Sequence, residues 1–401
     1  MVLQYQLDHV WHRDFLIPGD AEGYWELGKK IAAGEEYAVY DPPRKVLRMP
    51  GFPLVLAGAV SLFGESLFAA RLVLAFVGTL ACGAVYLLGK ELFHESAGLF
   101  GAVLAAVMPT FVLFSVIVLS ETTFTICMIL NLWAFAVLIR KARAGETLRT
   151  KLSWSVLCGV LIAAGTYVRP NWILVGPLFP AVWWITEKFQ KRAAVQGLVM
   201  FAAFVACMAP WTWRNYLVTE KFVPTTLWMG PSLYDGLNPQ ATGESEMSFF
   251  DRDGLSAQMT EYEVDRHYRQ AAWSFARENP LKSMQLAWQK FLRFWKPWPN
   301  AGDFRNPLAI VATLAGFVLL IGSATAGAWS LRHQYWMLTL LVGPVIYFCL
   351  MHLFFVSSLR YRLPGEYALC LLAAAFWTGS RNRTNDTDKV DVPVTRTPSF
   401  P

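Results

Sequence analysis

The residues with a chemical look cluster at a few points along the 401-residue chain, and the first is Asp20, in Pro18-Gly19-Asp20-Ala21-Glu22-Gly23-Tyr24. It precedes an amphipathic stretch (Tyr24, Leu27, Ile31) that ends near Gly34. An Asp there can cap a helix by accepting backbone N–H bonds. At a membrane surface the same carboxylate can act as a general base, taking a proton from an acceptor hydroxyl or amine during group transfer. The two readings are compatible. Glu22 stands one residue off the facing position. Glu121, in Leu119-Ser120-Glu121-Thr122, lies between two apolar runs. It reads as a solvated boundary residue or, as an acid at a membrane edge, as a substrate-binding group. Arg169, Arg214, Arg360 and Arg362 stand at the ends of apolar runs. Snorkelling toward lipid headgroups accounts for one or two of them. Four guanidiniums on one side also suit an anionic group, because arginine holds phosphate through paired hydrogen bonds. The six histidines are scattered, and there is no HExxH, GxSxG or P-loop. No metal cluster stands out, and a divalent metal bridging carboxylate and phosphate stays open. All six cysteines fall in apolar runs without CxxC spacing and read as small core residues.

These side chains are carried by a chain that is 55% hydrophobic, 15% aromatic and 16% charged, with a mean hydropathy of +0.36. Soluble domains carry more charge. The composition predicts an all-α polytopic membrane protein. The net charge of +6 calls for no nucleic acid, since basic residues collect in cytoplasmic loops. Spanning helices need about 20 apolar residues. The spacing predicts about nine, near 66–89, 97–119, 121–140, 153–168, 171–186, 195–213, 308–331, 335–356 and 364–379. The Pro-flanked run from Phe52 to Phe63 is too short and predicts an interfacial or re-entrant helix. Basic residues at 140–151, 187–192, Lys90, Arg332, Arg381 and Arg383 all fit one side, the cytoplasm. Asp20, Glu121, Arg169, the loop 214–305 and Arg360 then share the opposite face.

Five regions follow: an outer-face loop with juxtamembrane helices (1–64), a membrane bundle (65–213), an outer-face loop with an interfacial helix (214–305), a second part of the bundle (306–379) and a disordered cytoplasmic tail (380–401). Within the larger loop, 214–254 predicts turns at Gly230-Pro231, Asp235-Gly236, Asn238-Pro239 and Thr242-Gly243. The spacing predicts a helix from about Ser256 to Glu278, stopping before Pro280. Residues 281–296 put Leu281, Met284, Trp288, Phe291 and Trp295 near one face and Lys282, Lys290 and Arg293 elsewhere, as for a helix lying in the membrane interface. The sequons at Asn382 and Asn385 fall on the cytoplasmic side and read as unused. No signal peptide is visible in the polar first twenty residues, so an outer N-terminus predicts a further span upstream of this reading frame.

The chain resembles the membrane-embedded GT-C glycosyltransferases, in the bacterial branch related to protein O-mannosyltransferases and the aminoarabinose transferase of lipid A. The residues that carry the resemblance run from Asp20-Ala21-Glu22-Gly23-Tyr24, through Met49-Pro50-Gly51-Phe52-Pro53-Leu54 and Leu62-Phe63-Gly64 to Ala70-Arg71-Leu72. They continue with Pro109 and Ser120-Glu121, then Arg169-Pro170, Pro210-Trp211, Arg214-Asn215-Tyr216 and Gly236-Leu237-Asn238-Pro239, and end on Arg360-Tyr361-Arg362-Leu363-Pro364. The resemblance implies a GT-C-type helix bundle with outer-face interfacial helices and one larger outer loop. It implies an inverting transfer of a sugar from a polyprenyl-phosphate donor to a lipid, glycan or protein acceptor at the periplasmic face of a bacterial inner membrane. Asp20 matches the family's catalytic Asp, and Tyr24 is the aromatic that follows it. Arg360 and Arg362 match its lipid-phosphate arginines, with Arg169, Arg214 and Glu121 as further substrate-binding residues. Many members have Asp-Glu where this chain has Asp-Ala-Glu, so Glu22 does not match. A transporter or flippase of a lipid-linked saccharide would use the same arginines, but no inverted repeat or mid-membrane charge pair is visible.

Overall fold

The computed structural model describes residues 16–17, 19–298 and 307–379. The expectations for the tail and its two sequons lie outside these residues, as does Pro18. The described chain is helical, and its sole ladder contact is an isolated antiparallel bridge between Val39 and Arg44. Sixteen α-helices follow one another: α1 Asp20–Ala33, α2 Gly51–Phe63, α3 Leu67–Leu92, α4 Glu95–Val107, α5 Pro109–Phe114, α6 Glu121–Arg143, α7 Leu148–Val168 and α8 Val175–Thr186. They continue as α9 Lys191–Thr219, α10 Met229–Gly236, α11 Ser248–Asp253, α12 Glu261–Glu278, α13 Pro280–Phe294, α14 Pro307–Ser330, α15 Tyr335–Met351 and α16 Leu359–Trp377.

Five of them, α3, α6, α7, α9 and α14, are long and apolar enough to cross a membrane, which makes this a multi-pass membrane protein. The other expected spans differ for identifiable reasons. The run 97–119 divides into α4 and α5, because Met108 precedes Pro109 and takes the extended conformation that a following proline favours (φ −63°, ψ 121°). The run 171–186 opens on a 3₁₀ turn, Pro170–Trp172, leaving the twelve residues of α8. α15 has 17 residues. α16 carries Arg360, Arg362 and Glu366, yet nearly its whole length is buried. It is the central post, packed against α14, α15, α4 and α6. Small residues allow the approach: a β-carbon on Gly327 of α14 would collide with the Leu372 carbonyl of α16. On the other side of the bundle α3 packs on α4 and α6, and α7 on α6 and α9.

α9 runs on to Thr219, so the outer loop begins later than expected and Arg214 lies on a helix. Two of the turns expected beyond it are absent. Gly230-Pro231 and Asp235-Gly236 instead form α10, since Pro231 sits in the first turn, where its missing N–H costs nothing. Gly230 touches the backbone of α12 at Asp265, where no β-carbon fits. α12 starts at Glu261, later than the spacing suggested, behind a capping box in which Thr260 and Glu263 exchange hydrogen bonds. α13 forms where expected and leaves Leu281, Met284 and Trp288 exposed. Lys290, expected away from the packed face, is fully buried and donates to the carbonyls of Leu353 (3.2 Å) and Phe354 (2.7 Å) beyond α15.

Candidate active site

Asp20 opens α1, where the helix dipole favours an acid. The turn before it needs a positive φ, which Gly19 supplies (φ 77°). Glu22 reaches back to the Gly19 N–H (3.2 Å) and so closes the helix start, leaving Asp20 free of the capping task. α1 packs on α2, with Ala21, Trp25 and Leu27 buried.

Asp20 is held by two arginines from opposite directions. Its Oδ1 accepts from Arg48 Nη2 at 2.7 Å and its Oδ2 from Arg360 Nη2 at 2.6 Å. Arg360, in the first turn of α16, also pairs through Nε with Glu121 Oε1 (3.4 Å). Glu121, the first residue of α6, is 1% exposed and pairs at the same oxygen with Arg169 Nη1 (2.9 Å). The chain of charges therefore runs Arg48, Asp20, Arg360, Glu121, Arg169, three cations against two anions, and formally carries +1. Aromatic faces line it. Arg48 lies over Tyr24 (5.1 Å to the centroid), which meets Phe52 edge-on. Arg169 and Arg360 both lie over Tyr361, which stacks on His352 at 4.0 Å. The second Glu121 oxygen, Oε2, is buried without a partner.

Burial pushes the Asp20 carboxyl up, but Arg48 and Arg360 outweigh it and hold it well below the usual carboxylate range. Asp20 is ionised at neutral pH, and its charge is spent on two guanidiniums. Among the described residues no three His, Cys, Asp or Glu side chains converge as a metal site. The oxygens of Asp20 face arginine, so this donor set does not fit a divalent ion, and charge compensation here is guanidinium.

Of the residues singled out in the sequence, the fold brings Asp20, Tyr24, Glu121, Arg169 and Arg360 together. It takes Arg214 and Arg362 elsewhere. Arg214 donates to the Lys45 carbonyl (2.7 Å) and stacks on Trp211 and Tyr37, whose hydroxyl donates to the Arg48 carbonyl (3.2 Å). It braces the loop that presents Arg48. Arg362 is 1% exposed, paired with Glu366 and donating to the Phe294 carbonyl at the end of α13. Two residues further along α16 than Arg360, it faces another way, since i and i+2 do not share a helix face. Arg48 was missed as a site residue, although it begins the Arg48-Met49-Pro50-Gly51-Phe52-Pro53 stretch; an arginine in the acidic, aromatic opening segment was the available signal.

The residues 43–213 match the family described as dolichyl-phosphate-mannose-protein mannosyltransferase. No curated protein matches the sequence. Among solved structures, the oligosaccharyltransferase AglB of Archaeoglobus fulgidus, in complex with an inhibitory peptide and a dolichol-phosphate, is similar at 13% identity, with a TM-score of 0.52 over 88% of this chain and 45% of that one. The Archaeoglobus fulgidus oligosaccharyltransferase tethered with an acceptor peptide is similar at 14% identity and a TM-score of 0.53, over 90% and 45%. ArnT from Cupriavidus metallidurans bound to undecaprenyl phosphate has 14% identity and a TM-score of 0.40, over 91% and 74%. The fold is that of the GT-C membrane glycosyltransferases, as the sequence led us to expect. Within that class, the stretch that carries Arg48, Glu121 and Arg169 has the pattern of the mannosyltransferase family. The chain spans about half the length (45%) of the oligosaccharyltransferases it matches.

Proposed function

We propose that this protein is a glycosyltransferase that moves a sugar from a polyprenyl-phosphate donor to an acceptor hydroxyl or amine at the outer, periplasmic face of a bacterial inner membrane. The observation that carries the reading is Asp20 clamped between Arg48 and Arg360, in a cluster with a formal charge of +1 at one end of the helix bundle. That end collects the start of α6, the end of α7 and the start of α16, which the loop charges put opposite the basic 140–151 loop.

In this reading the acceptor oxygen or nitrogen attacks the anomeric carbon from behind. The bond from that carbon to the phosphate oxygen breaks, the electron pair leaves with the phosphate, and the sugar configuration inverts. Asp20 receives the acceptor proton. Arg48 and Arg360 stabilise the charge gathering on the leaving phosphate. With its pKa held low, Asp20 is a poor base while both guanidiniums bind it. A donor phosphate competes for the same N–H groups, so donor binding loosens the clamp and makes Asp20 more basic when a proton must be taken. Glu121 and Arg169 hold Arg360 from its far side. Tyr24 supports Arg48 through its ring face.

The experiment is transfer of label from a radiolabelled polyprenyl-phosphate sugar in membranes containing the chain. Label should pass to an acceptor with wild type and not with Asp20→Asn. Full transfer by Asp20→Asn at equal protein level would sink the assignment of the base, and donor crossing the bilayer without transfer would replace the enzyme by a flippase.

A further inference from the structure

Arg44 is unlike its neighbours. Arg48, Arg214 and Arg360 each spend their N–H groups on a carboxylate or carbonyl. The Arg44 side chain has no hydrogen-bond acceptor or ion-pair partner among the described residues. It lies instead in a cage of three aromatic faces, 4.4 Å from the Phe250 centroid, 5.2 Å from Trp228 and 5.4 Å from Tyr40. Stacked on rings, a guanidinium keeps its in-plane N–H fork open, and that fork matches a carboxylate or phosphate. The acids nearby do not use it. Glu261 accepts from the backbone N–H groups of Lys45 and Val46, and among the described residues neither it nor Asp251 forms an ion pair with Arg44. Burial lowers the Arg44 pKa, and the fields of Glu261, Tyr40 and Asp251 do not outweigh it.

The cage adjoins the Asp20 cluster through Tyr40. Its hydroxyl donates to the carbonyl of Gly19, the residue before Asp20, while its ring lies under Arg44. Tyr40 takes a left-handed backbone (φ 69°), a strained conformation for a residue with a β-carbon, and it is retained here beside the charge cluster. The Val39–Arg44 bridge fixes the tight loop that joins the two sites. The opposite wall, Trp228 and Phe250, comes from the outer loop.

We propose that Arg44, with Tyr40, Trp228 and Phe250, forms an acceptor subsite that recognises an anionic group, a carboxylate or a phosphate, on the molecule receiving the sugar. The aromatic walls seat an apolar or sugar-ring face, and the guanidinium fork takes the charge. This rests on the transferase reading, since it assigns the acceptor side of the same reaction.

The test is binding of three probes to the full chain in nanodiscs, by calorimetry: methyl β-glucuronide, glucose 6-phosphate and the neutral methyl β-glucoside. One or both anionic probes should bind, more weakly as salt rises, and the neutral one should bind at least about tenfold less well, the scale of a hydrogen bond to a charged group. Which anion binds tells carboxylate from phosphate. Arg44→Gln should weaken anion binding about tenfold or more, and Arg44→Lys, which keeps the charge but loses the fork, by less. Arg360→Gln, at the donor cluster, should leave binding of the carboxylate probe, methyl β-glucuronide, unchanged. Equal binding of neutral and anionic probes, or unaltered anion binding by Arg44→Gln, overturns the subsite. Loss of methyl β-glucuronide binding with Arg360→Gln instead would move the anion site to the donor cluster and also overturn it. Should Arg44→Gln not fold, the Arg44→Lys and Arg360→Gln arms decide alone. Because binding is read without transfer, a chain that binds anions at Arg44 but transfers no sugar would refute the enzyme and leave only an anion-binding site at Arg44.

Discussion

Asp20 shows how little a residue's type says before its partners are known. A capping role and a proton-accepting role were both open to it, and Glu22, by taking the Gly19 N–H itself, relieves Asp20 of the first. Asp20→Asn should lower transfer by roughly 10²- to 10⁴-fold, the usual contribution of a positioned base, measured as kcat at wild-type protein levels. The same substitution tests a linkage. The folded-state pKa of Asp20 lies below its unfolded value, so the folded chain binds fewer protons over that interval. The stability it contributes is present above the unfolded pKa of about 4 and is lost as pH falls below it. Melting curves of the wild type should therefore approach those of Asp20→Asn on acidification below about pH 4. Arg362 predicts a different phenotype from Arg360. It is buried and paired with Glu366 and the end of α13, and Arg362→Gln leaves a buried carboxylate unpaired, at a cost of about 3–5 kcal/mol. Its loss should appear as a lowered melting temperature, whereas Arg360→Gln should raise the KM for donor with a smaller change in melting.

Elements of this fold are tied to one another at their ends. Lys290 of α13 donates to the carbonyls that follow α15, and Arg362 of α16 donates to the last carbonyls of α13. Those carbonyls have no intrahelical partner and need donors. The two contacts fasten the outer helix to the segment that leads into Arg360. Burial lowers the Lys290 ammonium to about 8. The unfolded side chain titrates near 10.4, so between about pH 8 and pH 10 the unfolded chain holds more protons and stability rises with pH, by at most about 3 kcal/mol. A wild-type melting temperature that climbs between pH 7.5 and 9.5, against a smaller climb in Lys290→Met, is the expected result. A flat wild-type profile would refute it. The break between α4 and α5 belongs to the same scale: composition reads the run 97–119 as one span, while Met108-Pro109 ends the helix for a local steric reason.

For the whole molecule, the positive-inside pattern makes a prediction that any reading of function must survive. Arg149, in the first turn of α7 within the basic stretch 140–151, and Arg266 on α12 are both exposed. Single cysteines introduced there, in a background lacking the six native ones, should react with a membrane-impermeant maleimide from opposite sides of the bilayer. Labelling from the same side would refute the topology and the outer-face site with it. The membrane class, the amphipathic α1 with its stop at Gly34, the two helices of the outer loop and the candidate residues Asp20, Glu121, Arg169 and Arg360 were legible in the sequence, because hydropathy, helical period and charge asymmetry are local properties of the chain. Partnership was not. Arg48 and Arg360 meet Asp20 across separations of 28 and 340 residues, on elements brought together by the packing of α16 against its neighbours. Arg214 and Arg362 looked equivalent to Arg360 in a linear reading, and only the directions imposed by their helices sent them to the Lys45 and Phe294 carbonyls. The chain by itself determined which residues could carry charge at the ends of its helices; tertiary packing decided which of those charges face one another, since that depends on helix rotation and long-range contact, which no local pattern encodes.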